Sequence, residues 1–473
     1  MLSSSTYHPL DWLKFQPAIA WIGILGLAII TALGTFAGAG SLLRLLFPAG
    51  AFAVGLLLYF RYPILYIGFT WWLWFITPLV RRLIDYQSGW QDPSPVLLAP
   101  PLVTMICGLT LFRHLPTAYS RGGLPFLMCF TSVFYGFMLS LVKSSVAGGL
   151  LALLDWLPPL LFGFHLSVNW RQYLAYRQNL QRTFLWGVLV MGAYGLWQYL
   201  TAPLWDRFWL ENAGSLVFGQ PEPMGIRVWS TMNSPQPFAA VMVAGLILLL
   251  SNKETLKFAA TGVGYLSFLL SLARAGWVSW MASLLVYISS LKSYLQMRLF
   301  IALTVMVMLV APLVAVEPLA SEIVPRLASL SETKDDGSYK ARAAGYSELL
   351  DAALLETLGE GLAFQLQSGS LGSRDSGVLT LMFSLGWLGT LPYLTGLFLM
   401  LYTLFQTTAS QLDEFALAAR AIALGLLAQI GLNVSMLGVS GMVLWGFLGI
   451  GLSAAKYNTQ LQRANQAAAT AAK

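Results

Sequence analysis

Long apolar segments, separated by short polar ones, make up most of this chain. They lie near residues 18–38, 43–60, 62–80, 96–112, 122–142, 145–166, 183–200, 235–251, 258–273, 275–291, 299–316, 386–407, 414–433 and 438–456. A helix needs roughly 17 to 25 predominantly apolar residues to cross a bilayer. The pattern therefore predicts an all-α polytopic membrane protein with about 14 transmembrane helices, in a range of roughly 12–14.

One long polar segment interrupts this pattern, and it divides the chain into parts. We expect transmembrane helices 1–11 in residues 1–316, an external loop with amphipathic helices in 317–385, transmembrane helices 12–14 in 386–456, and a cytoplasmic tail in 457–473. Residues 317–376 hold ten acidic and five basic side chains, a net charge of −5. The chemistry is therefore sought in this water-facing segment.

Within the loop, an amphipathic helix is predicted from Tyr339 to Leu358. Its apolar face recurs at steps of three and four residues and comprises Ala343, Tyr346, Leu349, Leu350 and Leu354. The sequence Gly359-Glu360-Gly361 should end this helix, because glycine readily leaves helical backbone geometry. A second helix is expected after Asp375 and Ser376, and it leads back into the bilayer.

The composition supports a membrane protein and argues against several other classes. Hydrophobic residues make up 57% of the 473 positions, charged residues only 10%, and the mean hydropathy is +0.69. Cys107 and Cys129 both lie in apolar runs, so neither a disulfide framework nor metal-ligand spacing is available. Phosphate-loop, dinucleotide-binding and zinc motifs are missing from the sequence, so we expect no cofactor and no metal. The cations are scattered over short loops, which argues against nucleic-acid binding.

The distribution of Lys and Arg predicts the orientation, since short cytoplasmic loops carry an excess of these residues. With the N-terminus inside, the inner loops hold Lys14, Arg61, Arg113, Arg121, Arg171, Arg177, Arg182, Lys253, Lys257, Lys292 and Arg298, and the tail adds Lys456, Arg463 and Lys473. We therefore expect a multi-pass protein of the cytoplasmic (inner) membrane. Both termini are cytoplasmic in this prediction, and residues 317–376 are external.

Three stretches of the C-terminal half carry a resemblance to a known family. They are RVWSTMNSPQPFAAVM (227–242), SLARAGWVSW (271–280), and an ordered series of Arg342, the Gly-Glu-Gly turn and RDSGVLTLMFSLGWLGTLPYL (374–394). In this order, and together with one large external loop, they resemble the O-antigen ligase and polysaccharide polymerase superfamily. The resemblance implies a membrane glycosyltransferase that transfers or polymerises glycan linked to a polyprenyl diphosphate at the external face. Its partners would be that lipid-linked oligosaccharide, a glycan or lipid acceptor, and membrane lipids.

Such a reaction needs cations for the diphosphate and one base for the acceptor hydroxyl. Arginine suits phosphate because its planar guanidinium makes two parallel hydrogen bonds and stays charged. The outward-facing candidates are Arg227, Arg274, Arg342 and Arg374. Each has a simpler interpretation, such as contact with lipid headgroups or a solvated helix face.

Asp375 is the candidate catalytic base. The simpler interpretation is that its carboxylate caps the helix that follows. One departure from the family pattern bears on the subtype: the ligases have a histidine near this position, whereas this loop contains none. A carboxylate can replace imidazole as a base, and the departure favours a polymerase or another glycan-transfer subtype over a strict ligase.

A solute or anion transporter is the alternative function. It depends on Asp155, an ionisable residue within an apolar run, where such groups often bind ions or protons. Pro158 and Pro159 should break the helix beside it and free backbone carbonyl groups. Arg81 and Arg82 follow a tryptophan cluster, and they are expected in an external interfacial belt that binds headgroups or lines a glycolipid entrance.

Overall fold

The computed structural model describes residues 18–118, 123–214, 218–314, 337–366, 375–407 and 413–471. These residues form α-helices, short 3₁₀ turns at Pro95–Leu98 and Trp170–Gln172, and one isolated antiparallel bridge between Gly219 and Ile226. The helices are α1 Ala18–Phe36, α2 Gly40–Arg61, α3 Pro63–Ser88, α4 Ala99–Met105, α5 Gly108–Ala118, α6 Leu124–Lys143, α7 Val146–Val168, α8 Tyr173–Thr201, α9 Leu204–Ala213, α10 Pro235–Ser251, α11 Lys257–Leu270, α12 Arg274–Ser290, α13 Ser293–Val314, α14 Gly337–Leu355, α15 Gly377–Gln406, α16 Glu414–Ala428 and α17 Gly438–Ala471.

Eight helical segments within the described residues are long and apolar enough to cross a membrane. They are Ala18–Phe36, Gly40–Arg61, Pro63–Ser88, Pro95–Pro116, Leu124–Lys143, Val146–Val168, Gly377–Gln406 and Gly438–Thr470. Two shorter apolar helices, α10 and α11, accompany them. The regular structure of the described residues is therefore helical, and the apolar helices fit a multi-pass membrane protein.

Two helix boundaries fall where the sequence shows a basic residue between apolar runs. α2 ends at Arg61 and α3 begins at Pro63, because proline lacks an N–H and tolerates only the first turn of a helix. α11 ends at Leu270, and Arg274 is the first residue of α12. At both places, one apolar stretch is thus divided into two separate helices.

The predicted break at Pro158 and Pro159 is wrong, since α7 runs through both prolines. Tight packing against α17 accompanies this continuity. A side chain on Gly163 would lie 2.5 Å from the carbonyl oxygen of Trp445, and one on Gly449 would lie 2.2 Å from that of Gly163. Small residues let helix backbones approach closely, and neighbouring helices can stabilise a helix that contains proline.

Different connecting segments lie at the two ends of the helix bundle. At one end, Arg177, Leu291 and Asp413 line a common cavity. At the other, Gln198 on α8 accepts a hydrogen bond from the backbone N–H of Ser230. The connecting segments at the start and at the end of α8 therefore lie at opposite ends of the bundle, as expected for a helix that crosses a membrane. We call the end with Ser230 the upper face and the end with the cavity the lower face.

α15 contains a sharp turn at Gly386, where φ is +57°. The predicted Gly-Glu-Gly turn packs into this kink: the N–H of Glu360 donates to the carbonyl of Phe383 (2.7 Å) and that of Gly361 to the carbonyl of Ser384 (3.0 Å). A Cβ on Gly386 would lie only 2.4 Å from the backbone nitrogen of Gly359. Glycine is required here because two backbones meet without room for a side chain.

α14 supplies the helix predicted in the polar segment, but its buried face differs from the expected one. Tyr346, Leu349 and Ala353 pack against the first turns of α15. Leu350 and Leu354, which were expected on the same apolar face, are 38% and 47% exposed. The face that packs on α15 therefore includes Tyr346 and Leu349 from the predicted set but not Leu350 and Leu354.

Candidate functional site

Arg227 lies against the turn that precedes Arg274, although the two are far apart in sequence. Its guanidinium donates to the carbonyl oxygens of Leu272 (3.0 Å) and Ser271 (3.4 Å). The N–H of Val228 also donates to the carbonyl of Leu270 at 3.0 Å. The fold therefore brings together the segments that carry two of the predicted arginines.

The turn between α11 and α12 exposes its carbonyl groups to Arg227. α11 ends with the Ser271 hydroxyl donating to the carbonyl of Phe268 at 2.6 Å, and Leu272 then adopts φ +50°. A leucine in the left-handed region is uncommon, because its Cβ crowds the following carbonyl oxygen. The surrounding contacts hold this conformation, and the guanidinium of Arg227 bonds the two carbonyl groups it presents.

Two helix N-termini lie beside this turn. α10 and α12 pack with their first turns side by side, and a Cβ on Gly276 would be 2.7 Å from the Cβ of Ala239. At the lower face, Ser251 and Ser290, which end these helices, line one cavity. The helices are therefore parallel, and both N-termini face upward. Arg227, Arg274 and two helix N-termini, each with a partial positive charge, therefore lie together at the upper face.

A buried polar network supports the segment that carries Arg227. Arg82 of α3 donates to Asp206 (2.6 Å) and to the carbonyl oxygen of Ser230 (2.5 Å), and the side chains of Arg82 and Asp206 are fully buried. The Gln198 side-chain oxygen accepts from the N–H groups of Trp229 (3.1 Å) and Ser230 (2.8 Å). These contacts fix the backbone two to three residues after Arg227.

The charge of Asp206 depends on its neighbours. Burial is the largest influence and raises the pKa of this carboxyl group overall, although Arg82 and hydrogen bonds from Gln198 and Tyr194 act in the opposite direction. Gln198 donates its amide to Asp206 at 2.8 Å and the hydroxyl of Tyr194 donates at 3.0 Å. A buried carboxylate with these donors is a structural anchor, since its lone pairs are already engaged.

The prediction that Arg81 and Arg82 form an exposed interfacial belt is wrong. They are 5% and 0% exposed, and Asp85, the ion-pair partner of Arg81, is 0% exposed. Arg81 pairs with Asp85 (3.1 Å) and Asp92 (3.2 Å), while Arg44 reaches Asp85 at 3.0 Å. The tryptophan-rich run suggested an interface, but α9 and the segment after α3 cover these arginines.

Asp375 lies immediately before α15, but it is not the residue that caps this helix. Ser376 has extended backbone and its hydroxyl accepts from the N–H of Leu379 at 3.1 Å. The alternative interpretation of Asp375 as the helix cap is therefore wrong. Ser376 also bonds the hydroxyl of Tyr346 at 2.6 Å, so α14 contacts the start of α15 beside Asp375.

A short chain of contacts connects the Asp375 segment with the first turn of α10. The N–H of Gly377 donates to the carbonyl of Ile430 at 2.8 Å. The neighbouring Gln429 accepts from the side-chain amide of Gln236, on the first turn of α10, at 3.0 Å. The segment that follows Asp375 is therefore linked through the end of α16 to the first turn of α10 at the upper face.

The structure describes less of the two other predicted arginines, Arg342 and Arg374. Arg342 lies on α14, and its side chain is outside the described part of the chain, as is the whole of Arg374. Sequence reasoning missed Gln198 and Gln429, both 0% exposed. The signal was present for Gln198, because a buried amide within an apolar helix needs hydrogen-bond partners and is rarely there without a role.

Asp155, on which the transporter alternative depends, lies close to a helix N-terminus. Its Oδ1 is 3.6 Å from where a Cβ on Gly438 would be, and Gly438 begins α17. The partial positive charge at such a position stabilises a carboxylate. This contact gives the carboxylate a favourable position in the fold, and its role in ion or proton passage stays a prediction.

Across the described residues, no group of three or more His, Cys, Asp or Glu side chains is arranged to hold a metal ion. Comparisons with known proteins add no assignment: no protein-family profile matches the chain, and no curated protein is significantly similar to it.

Proposed function

We propose that this chain is a membrane glycosyltransferase that transfers or polymerises polyprenyl-diphosphate-linked glycan. The observation that carries the proposal is the contact of Arg227 with the turn leading into Arg274, beside the N-termini of α10 and α12. This cationic region suits a diphosphate, since guanidinium groups and helix N-termini both bind phosphate oxygens.

In the proposed reaction, an acceptor hydroxyl oxygen attacks the anomeric carbon of the lipid-linked glycan. The new glycosidic bond forms as the bond between that carbon and the diphosphate oxygen breaks. Asp375 takes the hydroxyl proton, and Arg227, Arg274, Arg342 and Arg374 stabilise the charge that develops on the departing polyprenyl diphosphate. The reaction uses no metal and no cofactor. The sugar donor is a polyprenyl-diphosphate-linked oligosaccharide, and the acceptor is a glycan or a lipid.

The proposed setting is the cytoplasmic (inner) membrane, with about 14 transmembrane helices and both termini cytoplasmic. The upper face is then external, and the lower face, rich in Lys and Arg, is cytoplasmic. Residues 317–385 form the external loop, of which α14 and the first turns of α15 are described. A loop of this length can cover two large substrates and exclude water from the reacting atoms.

The proposal can be tested with purified chain in vesicles that contain undecaprenyl-diphosphate-linked oligosaccharide. The wild type should release undecaprenyl diphosphate and lengthen or transfer the glycan. Arg274→Lys should reduce the rate by about tenfold or more, because a point ammonium does not reproduce paired hydrogen bonds to phosphate. Arg207→Lys is the control for the substitution itself: Arg207 donates to the backbone carbonyl groups of Ala202 and Thr201, where α8 connects to α9, rather than beside the N-termini of α10 and α12.

Equal activity of Arg274→Lys and Arg207→Lys would remove the arginine assignment. If sealed vesicles accumulated a small anion and no glycan transfer occurred with any donor, the protein would be a transporter and the proposal would be wrong.

A further inference from the structure

A second cationic region lies at the lower face, at the opposite end of the helices from Arg227 and Arg274. It is a partly enclosed cavity of about 780 Å³. Its walls come from four separate segments: the first turns of α8, the segment after α10, the connection between α12 and α13, and the start of α16. Tertiary packing, rather than local sequence, therefore forms this cavity.

Only some of the charged side chains that line the cavity form ion pairs. Asp413 is fully engaged: it accepts from Arg177 (2.9 Å) and from the hydroxyl of Tyr173 (2.8 Å), and it caps α16 through the N–H of Ala416 (2.8 Å). Three other lining cations make no ion pair with any residue that the structure describes; they are Arg182, Lys253 and Lys292. They come from three different walls, so the fold brings like charges to one cavity.

Two acids also line the cavity, Glu254 and Glu414, and neither forms an ion pair with a described residue. The cations nevertheless outnumber the acids once the pair of Arg177 and Asp413 is set aside. The four cations and three acids that line the cavity leave a net charge of +1, and such a surplus of positive charge attracts an anion.

The rest of the lining suits a ligand with a polar and an apolar part. Gln178 and Gln181 supply amide groups beside the cations, whereas Leu295 and Phe415 add apolar surface. Basic pockets between helices at a membrane surface bind the headgroups of anionic lipids. A phosphate group would meet the cations while an acyl chain followed the apolar side.

We propose that this lower-face cavity binds a phosphate-bearing anion, from either an anionic phospholipid headgroup or a soluble phosphate compound. This site is separate from the proposed glycan-transfer site and does not depend on it.

The test uses the full chain purified in neutral detergent and measures direct binding of three probes. Fluorescent phosphatidylglycerol and fluorescent phosphatidylcholine form the lipid arm, and radiolabelled pyrophosphate forms the soluble arm. Saturable binding of phosphatidylglycerol, with weak binding of phosphatidylcholine, identifies the lipid source. Saturable binding of pyrophosphate alone identifies a soluble source.

Lys253→Gln combined with Lys292→Gln should weaken binding of the preferred probe by about tenfold or more, as expected when two cations near an anionic group are lost. Lys253→Arg with Lys292→Arg retains the charges and should bind normally. Arg171→Gln with Arg463→Gln removes two cations that do not line the cavity. Thermal unfolding of each variant verifies that it is folded.

Three results would overturn the proposal. Unchanged binding by the folded glutamine variant would show that the cavity cations do not contact the anion. An equal loss of binding in the Arg171 and Arg463 control variant would show that diffuse surface charge, rather than a defined site, attracts the anion. Binding of neither phosphatidylglycerol nor pyrophosphate by the wild type would leave these residues as determinants of membrane orientation only.

Discussion

Arg82 of α3 and Asp206 of α9 form an ion pair of 2.6 Å in which neither side chain is exposed. They are separated by 124 positions in the sequence. The same guanidinium holds the carbonyl of Ser230, close to Arg227. A buried pair thus connects the packing of the transmembrane helices with the position of a candidate substrate-binding residue.

Asp206→Asn should destabilise the protein strongly, because it leaves the Arg82 charge buried without its counter-ion. Breaking a buried pair in this way costs about 3–5 kcal/mol. The control variant is Glu360→Gln. It removes the ion pair between Lys143 and Glu360, whose side chains are 35% and 39% exposed. That change should cost at most about 1 kcal/mol, since solvent screens exposed pairs. Thermal unfolding in detergent measures both, and similar losses for the two variants would refute the structural role assigned to Asp206.

Gly386→Ala should disrupt the contact between the kink of α15 and the Gly-Glu-Gly turn. The positive φ at Gly386 and the 2.4 Å approach to the Gly359 nitrogen both exclude a side chain. We expect a loss of stability of about 1–3 kcal/mol or more. Gly262→Ala is the control, because a Cβ there meets nothing within 4 Å in a regular helix. It should be neutral or stabilise by about 0.5–1 kcal/mol. An unfolding midpoint for Gly386→Ala at or above that of Gly262→Ala would show that this contact is not required.

Asp375→Asn and Ser376→Ala should separate catalysis from helix capping. Because Ser376 caps α15, its replacement should cost about 0.5–2 kcal/mol while glycan transfer by the folded protein continues. Asp375→Asn should still fold and lose transfer, since an amide does not take up the proton. Unfolding midpoints and transfer rates are measured for both. If Asp375→Asn transferred glycan at the wild-type rate, the base would have to be sought among Asp335, Asp336 and Glu348.

Cysteine labelling should place the two faces of the bundle on opposite sides of the membrane. Gln87 at the upper face and Lys253 at the lower face are both exposed. A membrane-impermeant thiol reagent should label Gln87→Cys in intact cells and Lys253→Cys only after permeabilisation. The unsubstituted chain is the control, since its cysteines, Cys107 and Cys129, are 0% exposed. Labelling of both positions from one side would refute the proposed topology.

Local sequence determined the helical elements and several of their ends. The apolar runs specify helices because a chain in lipid must satisfy its backbone hydrogen bonds internally. Pro63 marks the start of α3, and Arg274 marks the start of α12 between two apolar runs. The turn at Gly359-Glu360-Gly361 was also identifiable, because glycine indicates backbone that leaves the helix. These features depend on residues that are close together along the chain.

Tertiary packing decided which of these residues meet and which are buried. Nothing near Arg82 in the sequence indicates Asp206 as its partner, so a run of tryptophans and arginines was interpreted as an exposed belt. The capping role fell to Ser376 rather than Asp375 because capping depends on which side chain reaches the N–H of Leu379. Arg227 meets the turn before Arg274 through contacts between segments that are more than forty residues apart. Burial, ion pairing and shared cavities depend on contacts between distant segments, and the hydropathy of a single chain does not encode those distances.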